Sequence, residues 1–211
     1  MKKRAARNAD DRRIRSEFFE RDPVTCAREL VGCELFWNGC AGIVVETEAY
    51  AARNDEASHT FARPSAREFV ARHRAGDAYV YFNYGMYWLL NVLVKGDAGE
   101  GFVLLRAIEP TRGVASMRRR RLARRHSPLA HPHALCSGPG KLTVALGIDG
   151  RDHGRDLCGG AVVGFRRTGA VVPVIADGRI GISRATHLQW RFLAEGSRFV
   201  SVKPRQGSIV G

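Results

Sequence analysis

The residues best placed to do chemistry are two glutamates and a tyrosine, Glu46, Glu48 and Tyr50, spaced two apart in GIVVETEAY. Side chains alternate across a β-strand, so residues two apart share a face. On a regular strand Val44, Glu46, Glu48 and Tyr50 project together, and Ile43, Val45, Thr47 and Ala49 face the other way. Two carboxylates on one face can serve as an acid and a base. Taken alone, the commoner reading is charge on the solvated face of a half-exposed strand.

The aromatic residues shift that balance. Tyr79, Tyr81, Tyr84 and Tyr87 fall within nine residues, and Tyr50 ends the glutamate strand, so all five tyrosines occupy two short segments. A core would spread them more evenly. Tyrosine faces stack on nucleobases, at roughly 1–3 kcal/mol per base, and hold cationic bases by cation–π attraction. A carboxylate, an aromatic cradle and a basic rim suit an enzyme that acts on a base turned out of its stack. Other chemistries lack their signatures. There is no strand–elbow–helix nucleophile, no zinc-deaminase pattern and no P-loop.

The net charge of +13 and an isoelectric point near 10.3 call for a polyanionic partner, nucleic acid or an anionic membrane surface. Apolar content of 45% and a mean hydropathy of -0.23 are those of a globular chain, and 211 residues suffice for one core. No apolar run reaches the length of a membrane span. Residues 1–15 read as a basic flexible arm, 16–203 as one domain and 204–211 as a tail. Cys26, Cys33, Cys40, Cys136 and Cys158 form no C-x-x-C pair, which predicts reduced, buried thiols in a cytoplasmic protein. The histidine-containing stretch 126–136 reads as a loop, and no metal site is expected.

Several elements must position these groups. Asp22-Pro23 caps and opens a helix that Gly32 ends. Asn38-Gly39 turns a hairpin between strands 34–37 and 41–50. Residues 51–69 read as a polar loop broken by Pro64, then a short helix. Strands 79–82 and 86–94, joined at Asn83-Tyr84-Gly85, and a third at 102–107 form an antiparallel meander. Glu109-Pro110-Thr111 is expected to close that strand and start a helix through Met117. The helix continues into RRRRLARRH, too basic for a core helix, so Arg118, Arg119 and Arg121 are expected on phosphates. In CSGPGKL a tight turn leads into a helix near Lys141, which resembles a phosphate-binding turn. Beyond it, VVGF, RIGI and RFV read as short strands.

GIVVETEAY, DEASH, YVYFNYGMY, LLN, VLLRAIEP, LCSGPGKL and RIGI together resemble, in order, the signature blocks of the alkyladenine (3-methyladenine) DNA glycosylase family, methylpurine-DNA glycosylase type. The similarity runs from about Pro23 to Val202. It implies an α+β fold: a single mixed domain with a curved, mainly antiparallel β-sheet, flanking helices and a protruding β-hairpin. It further implies a monomeric, cofactor-free repair enzyme that flips an alkylated or deaminated purine from double-stranded DNA and hydrolyses its N-glycosidic bond. On this resemblance Glu48 activates the attacking water and Arg106 helps to hold it. Tyr50, His59 and Tyr81 sandwich the flipped base, and Asn91 limits entry of normal guanine. Tyr84, with Met86 beside it, fills the hole left in the duplex. Glu46 belongs to the motif with no assigned role.

The physics of those roles is coherent. An alkylated purine is cationic and leaves readily, so one base for water suffices. No lysine lies in the pocket segments, so no Schiff-base lyase step is expected. The chain departs from the family after His59. A glycine-rich turn and a T-x-R-N stretch are replaced by TFARPSAREFVARHRAGDA, with Arg72, His73 and Arg74 added; Trp88 and Leu90 bear on pocket volume. Two other readings use the same residues. A non-catalytic module for damaged nucleic acid would need the tyrosines and arginines but not Glu48. A carbohydrate-active glycosidase would pair Glu46 with Glu48, but side chains two apart on a strand point the same way and cannot flank a bond.

Overall fold

The computed structural model of the chain describes residues 12–124, 131–205 and 209–210. Its centre is β2 (Cys40–Ala51), the strand that carries the glutamates. β1 (Glu34–Trp37) pairs with its start through the Asn38-Gly39 turn, where both turn residues have positive φ. The other edge of β2 pairs with β5 (Gly99–Arg112). β5 continues outward to β4 (Tyr87–Gly96) and β3 (Ala78–Asn83). On the first edge, beyond β1, the middle of β2 meets β8 (Arg191–Ala194), followed by β7 (Val174–Asp177) and β9 (Ile209–Val210), while β6 (Val163–Arg166) pairs with β1. Every pairing is antiparallel, and β2 changes partner along one edge, so the sheet curls into a half-barrel. This is the expected α+β domain.

Helix α1 (Pro23–Leu30) begins as expected: the Asp22 side chain accepts from the Thr25 N–H at 2.9 Å, and proline occupies the first turn. Its Ala27 and Leu30 are fully buried in the main core, where Trp37, Leu105 and Phe165 also lie. α2 (His59–Ala62) and α3 (Pro64–Arg72) lie across the other side. There Phe69 packs with Tyr79 and Phe102 in a second, smaller cluster beneath the tyrosines. Pro64 opens α3 where the sequence suggested a break. α4 (Val114–Ala123) and α5 (Pro139–Leu146) pack on each other; α4 also meets β2, and α5 lies on β4 and β5. All five cysteines are buried and free.

Two expectations are corrected. β5 does not stop at Glu109; it runs to Arg112, because the start of β2 offers it a partner. Pro110 sits opposite Gly42 beside a register shift, where a missing N–H costs no ladder bond. RIGI and RFV are loops: Gly178 to Ile182 is tied to the site by side chains instead of a strand neighbour. Residues on both sides of the expected 16–203 span make contacts with it. Ile14 is buried, and the Arg13 guanidinium donates to the carbonyls of Cys158, Gly160 and Val163. At the other end the Arg205 N–H donates to Asp177 and β9 joins the sheet. The rest of the N-terminal arm, residues 1–11, lies outside the described residues.

Candidate active site

A cleft of about 330 Å³ opens between β3, β4, α2 and the 180–182 loop, with Tyr50, His59, Tyr79, Tyr81, Asn91 and Arg106 in its walls. Glu48 is fully buried just behind this wall. A β-bulge brings the groups together. The β2–β5 register slips on either side of Glu46, leaving Val45 and Arg106 without direct partners. Bulges re-aim side chains next to active sites, and here Arg106 turns toward both glutamates. Its Nε donates to Glu46 Oε1 at 2.9 Å, and its Nη1 lies 3.3 Å from Glu48 Oε1.

Glu46 and Glu48 share a face, as their spacing predicted, but their surroundings differ. Glu46 is saturated: Arg106 Nε, Arg191 Nη1 and Ser201 Oγ donate to Oε1, and the Ser201 N–H donates to Oε2. It thereby anchors Arg106, and neither of its oxygens is without a donor. Glu48 accepts the Tyr50 hydroxyl at 2.8 Å on one oxygen and the Ile180 N–H at 2.7 Å on the other. Burial holds its carboxyl above the ordinary value and outweighs the pull of Arg106, Ile180 and Tyr50 in the other direction. Tyr50 is itself pushed well up, by burial first and then by Glu48, so its hydroxyl keeps the proton it donates.

The cradle is built on Tyr50, His59, Tyr79 and Tyr81. His59 meets Tyr81 edge-on with centroids 4.3 Å apart, and its Nδ1 lies 3.2 Å from the Tyr79 hydroxyl. Burial, assisted by Arg63, lowers the His59 imidazole to about 4. The ring is therefore neutral at pH 7 and adds no charge to the cleft. Because the folded value lies below the unfolded one near 6.5, His59 stabilises the fold fully above that pH, and the contribution is lost as the pH falls toward 4. A proton NMR titration of the His59 ring is expected to show a midpoint near 4; a midpoint at or above 6.5 would mean the ring is solvated or carboxylate-bound. Asn91 is buried in the cleft wall and donates through Nδ2 to the Tyr79 carbonyl at 3.2 Å.

The hairpin tip carries Tyr84 and Met86, 83% and 60% exposed, with Phe82 and Tyr87 on its strands also exposed. Tyr84 and Gly85 both have positive φ, and the Met86 N–H closes the turn onto the Asn83 carbonyl. Such a tight turn holds a large side chain out into solvent. At the hairpin base Gly140 of α5 lies against Tyr87, where a Cβ would come within 2.6 Å of the ring. Among the basic residues, Arg118 and Arg119 are exposed on α4, while Lys141 is half-buried on the first turn of α5. Arg121 is 2% exposed. It faces inward toward Cys136, so the expectation that it meets phosphates is withdrawn.

Several participants escaped the sequence reading. Arg179 makes a bidentate pair with Asp55 at 2.6 and 2.8 Å, with both side chains fully buried. Its guanidinium also lies 4.7 Å from the Tyr50 ring centroid and 5.3 Å from that of Trp190. Arg191, fully buried, links Glu46 to Asp177. Arg179, Asp177 and Arg191 lie well over a hundred positions from β2 in the chain, and although DEASH and RIGI hold Asp55 and Arg179, nothing local to either block shows that the two pair. Among the described residues no group of three or more His, Cys, Asp or Glu side chains is arranged to hold a metal ion, and no helix is long and apolar enough to cross a membrane.

Comparison with known proteins gives one family. Residues 17–198 match the model of the family described as "Methylpurine-DNA glycosylase (MPG)". Among similar proteins, one from Rhodopseudomonas palustris (strain CGA009) is 42% identical, covering 87% of this chain and 85% of its own length. One from Rhizobium etli (strain CFN 42) is 44% identical, over 87% and 86%. A third, from Nitrosospira multiformis, is 42% identical over 91% and 95%. All three carry the name "Putative 3-methyladenine DNA glycosylase".

Proposed function

The chain belongs to the methylpurine-DNA glycosylase family, which makes it a hydrolase of N-glycosidic bonds in DNA, and from that premise we propose how it works. A damaged purine leaves the duplex and enters the aromatic cleft. Glu48 takes a proton from a water held against it and Arg106, and that water attacks the sugar carbon as the base departs. The product is an abasic site, with no lyase step, since no lysine is among the described residues that line the cleft. The observation that carries this reading is a single buried carboxylate with a raised proton affinity, fixed behind an aromatic cleft by Arg106, Tyr50 and the Ile180 N–H. Its companion Glu46 is fully engaged elsewhere, which argues for one catalytic carboxylate and against a retaining pair.

Tyr50, His59 and Tyr81 receive the base, and the Asn91 amide meets its edge. Tyr84 and Met86 enter the duplex from the hairpin tip; an inserted side chain offsets part of the unstacking cost of a few kcal/mol. Arg118 and Arg119, with Lys141 nearer the cleft, meet backbone phosphates. The protein acts as a monomer in the cytoplasm without a cofactor. The test is release of free base from a duplex oligonucleotide carrying one alkylated or deaminated adenine. Base release that leaves an alkali-labile but uncleaved strand is expected, with binding that weakens steeply as salt rises. Tight binding without release would instead favour a non-catalytic reader of damage.

A further inference from the structure

Arg63 ends α2, immediately before Pro64, and its side chain reaches back to the cleft wall. Its guanidinium carbon lies 5.7 Å from the centroid of the Tyr81 ring. The other arginines around the site are all paired: Arg106 with Glu46 and Glu48, Arg179 with Asp55, Arg191 with Glu46 and Asp177. Arg63 forms no ion pair among the described residues. It is an exposed, uncompensated positive charge at the mouth of the cleft. It also belongs to the 60–78 stretch in which this chain departs from its family's usual sequence.

We propose that Arg63 is a specificity-determining residue that disfavours cationic, N-alkylated purines relative to uncharged damaged purines. The inference rests on the glycosylase reading above. Two effects act in the same direction. A cationic base entering beside Tyr81 meets the guanidinium with like charge. The ring that would otherwise attract that base by a cation–π contact is already engaged by Arg63. An uncharged base meets neither penalty and still stacks on the ring. The field of Arg63 is felt across the wall: burial lowers His59 and raises Tyr79 and Tyr81, and Arg63 adds to the first shift and opposes the other two. His59 is neutral and does not add to it. The opposing charge, Glu48, lies behind the wall and against Arg106.

The test is single-turnover excision from two duplexes that differ only in the lesion, cationic 7-methylguanine or uncharged hypoxanthine. Wild type is compared with Arg63→Gln and Arg63→Lys. For Arg63→Gln the rate on 7-methylguanine, relative to that on hypoxanthine, is expected to rise about three- to tenfold over wild type. The modest size reflects the exposure of the group. Arg63→Lys should keep the wild-type ratio, and the gain should shrink in about 0.5 M salt. An equal loss on both lesions would put Arg63 on the DNA backbone and overturn the inference while leaving the glycosylase reading intact. Release of neither base by wild type would overturn both.

Discussion

Glu48→Gln is expected to slow single-turnover base release by about 10²–10⁴-fold, the usual range for loss of a positioned general base, while damaged-duplex binding stays close to wild type. The substitution keeps the volume of the side chain, so no cavity forms. Its carbonyl can still accept the Ile180 N–H that Glu48 accepts at 2.7 Å. Arg106 keeps Glu46 as a partner at 2.9 Å. What disappears is the basic oxygen, and nothing else in the cleft can replace it: Glu46 has both oxygens occupied, and His59 sits across the cleft.

Stability should move the other way. Burial raises the Glu48 carboxyl above its unfolded value near 4.5, so the folded state holds that proton more tightly than the unfolded one. Its contribution to stability is fully present below that value and is lost as the pH climbs through the raised folded value. Glutamine has no such dependence. The melting temperature of Glu48→Gln relative to wild type should therefore rise between pH 4 and pH 8, a cost of keeping a buried base ionisable. The wild-type rate should show an acid limb centred above pH 4.5. An active Glu48→Gln protein, or an unchanged acid limb in it, would remove Glu48 from the chemistry.

How much of this was visible in the sequence depends on distance along the chain. The Asn38-Gly39 hairpin, the Asp22-Pro23 helix start and the common face of Glu46, Glu48 and Tyr50 all rest on residues within a few positions of one another, and all stand in the structure. Of the clustered tyrosines, Tyr79, Tyr81 and Tyr84 line the cleft from β3 and its turn and Tyr50 lines it from β2, while Tyr87 does not, so clustering in sequence brought most of them to one wall. What period-two reasoning could not supply is the double register slip around Glu46, which turns Arg106 onto both glutamates. Nor could it separate the two glutamates, since their difference lies in partners at positions 180, 191 and 201. The arginine run was misread for a related reason. Counting charge around a helix treats all faces as wet, yet α4 packs on α5 and β2, and Arg121 lies on the packed side. RIGI shows the same limit: its apolar alternation suggests a strand, but Arg179 and Ile180 are held by Asp55 and Glu48, and these contacts fix a loop.

The network behind the cleft carries the second large effect. Arg191 is fully buried and donates to Glu46, Asp177 and the carbonyls of Gly178 and Val202. Arg191→Met fits a similar volume but removes the cation shared by two carboxylates. Breaking a buried pair by deleting one partner costs about 3–5 kcal/mol, which for a chain of this size lowers the melting temperature by roughly 6–20 °C. The Asp177 carboxyl is held below its ordinary value despite burial, by the N–H groups of Arg205 and Gly178 and by Arg191. Stability from this group is therefore present above pH 4 and lost as the pH falls through the lowered value, and Arg191→Met should flatten that acid-side loss. Adding Asp177→Asn to Arg191→Met should recover part of the deficit, because the orphaned charge goes with its partner. Excision by Arg191→Met, measured below its melting point, should fall far less than in Glu48→Gln, since Arg106 and Ser201 still hold Glu46. Thermal unfolding of the three proteins across pH 3–8 decides the matter. A loss under about 1 kcal/mol, the range of exposed pairs, would mean that water reaches Arg191 and that the anchor of Arg106 is weaker than its geometry indicates.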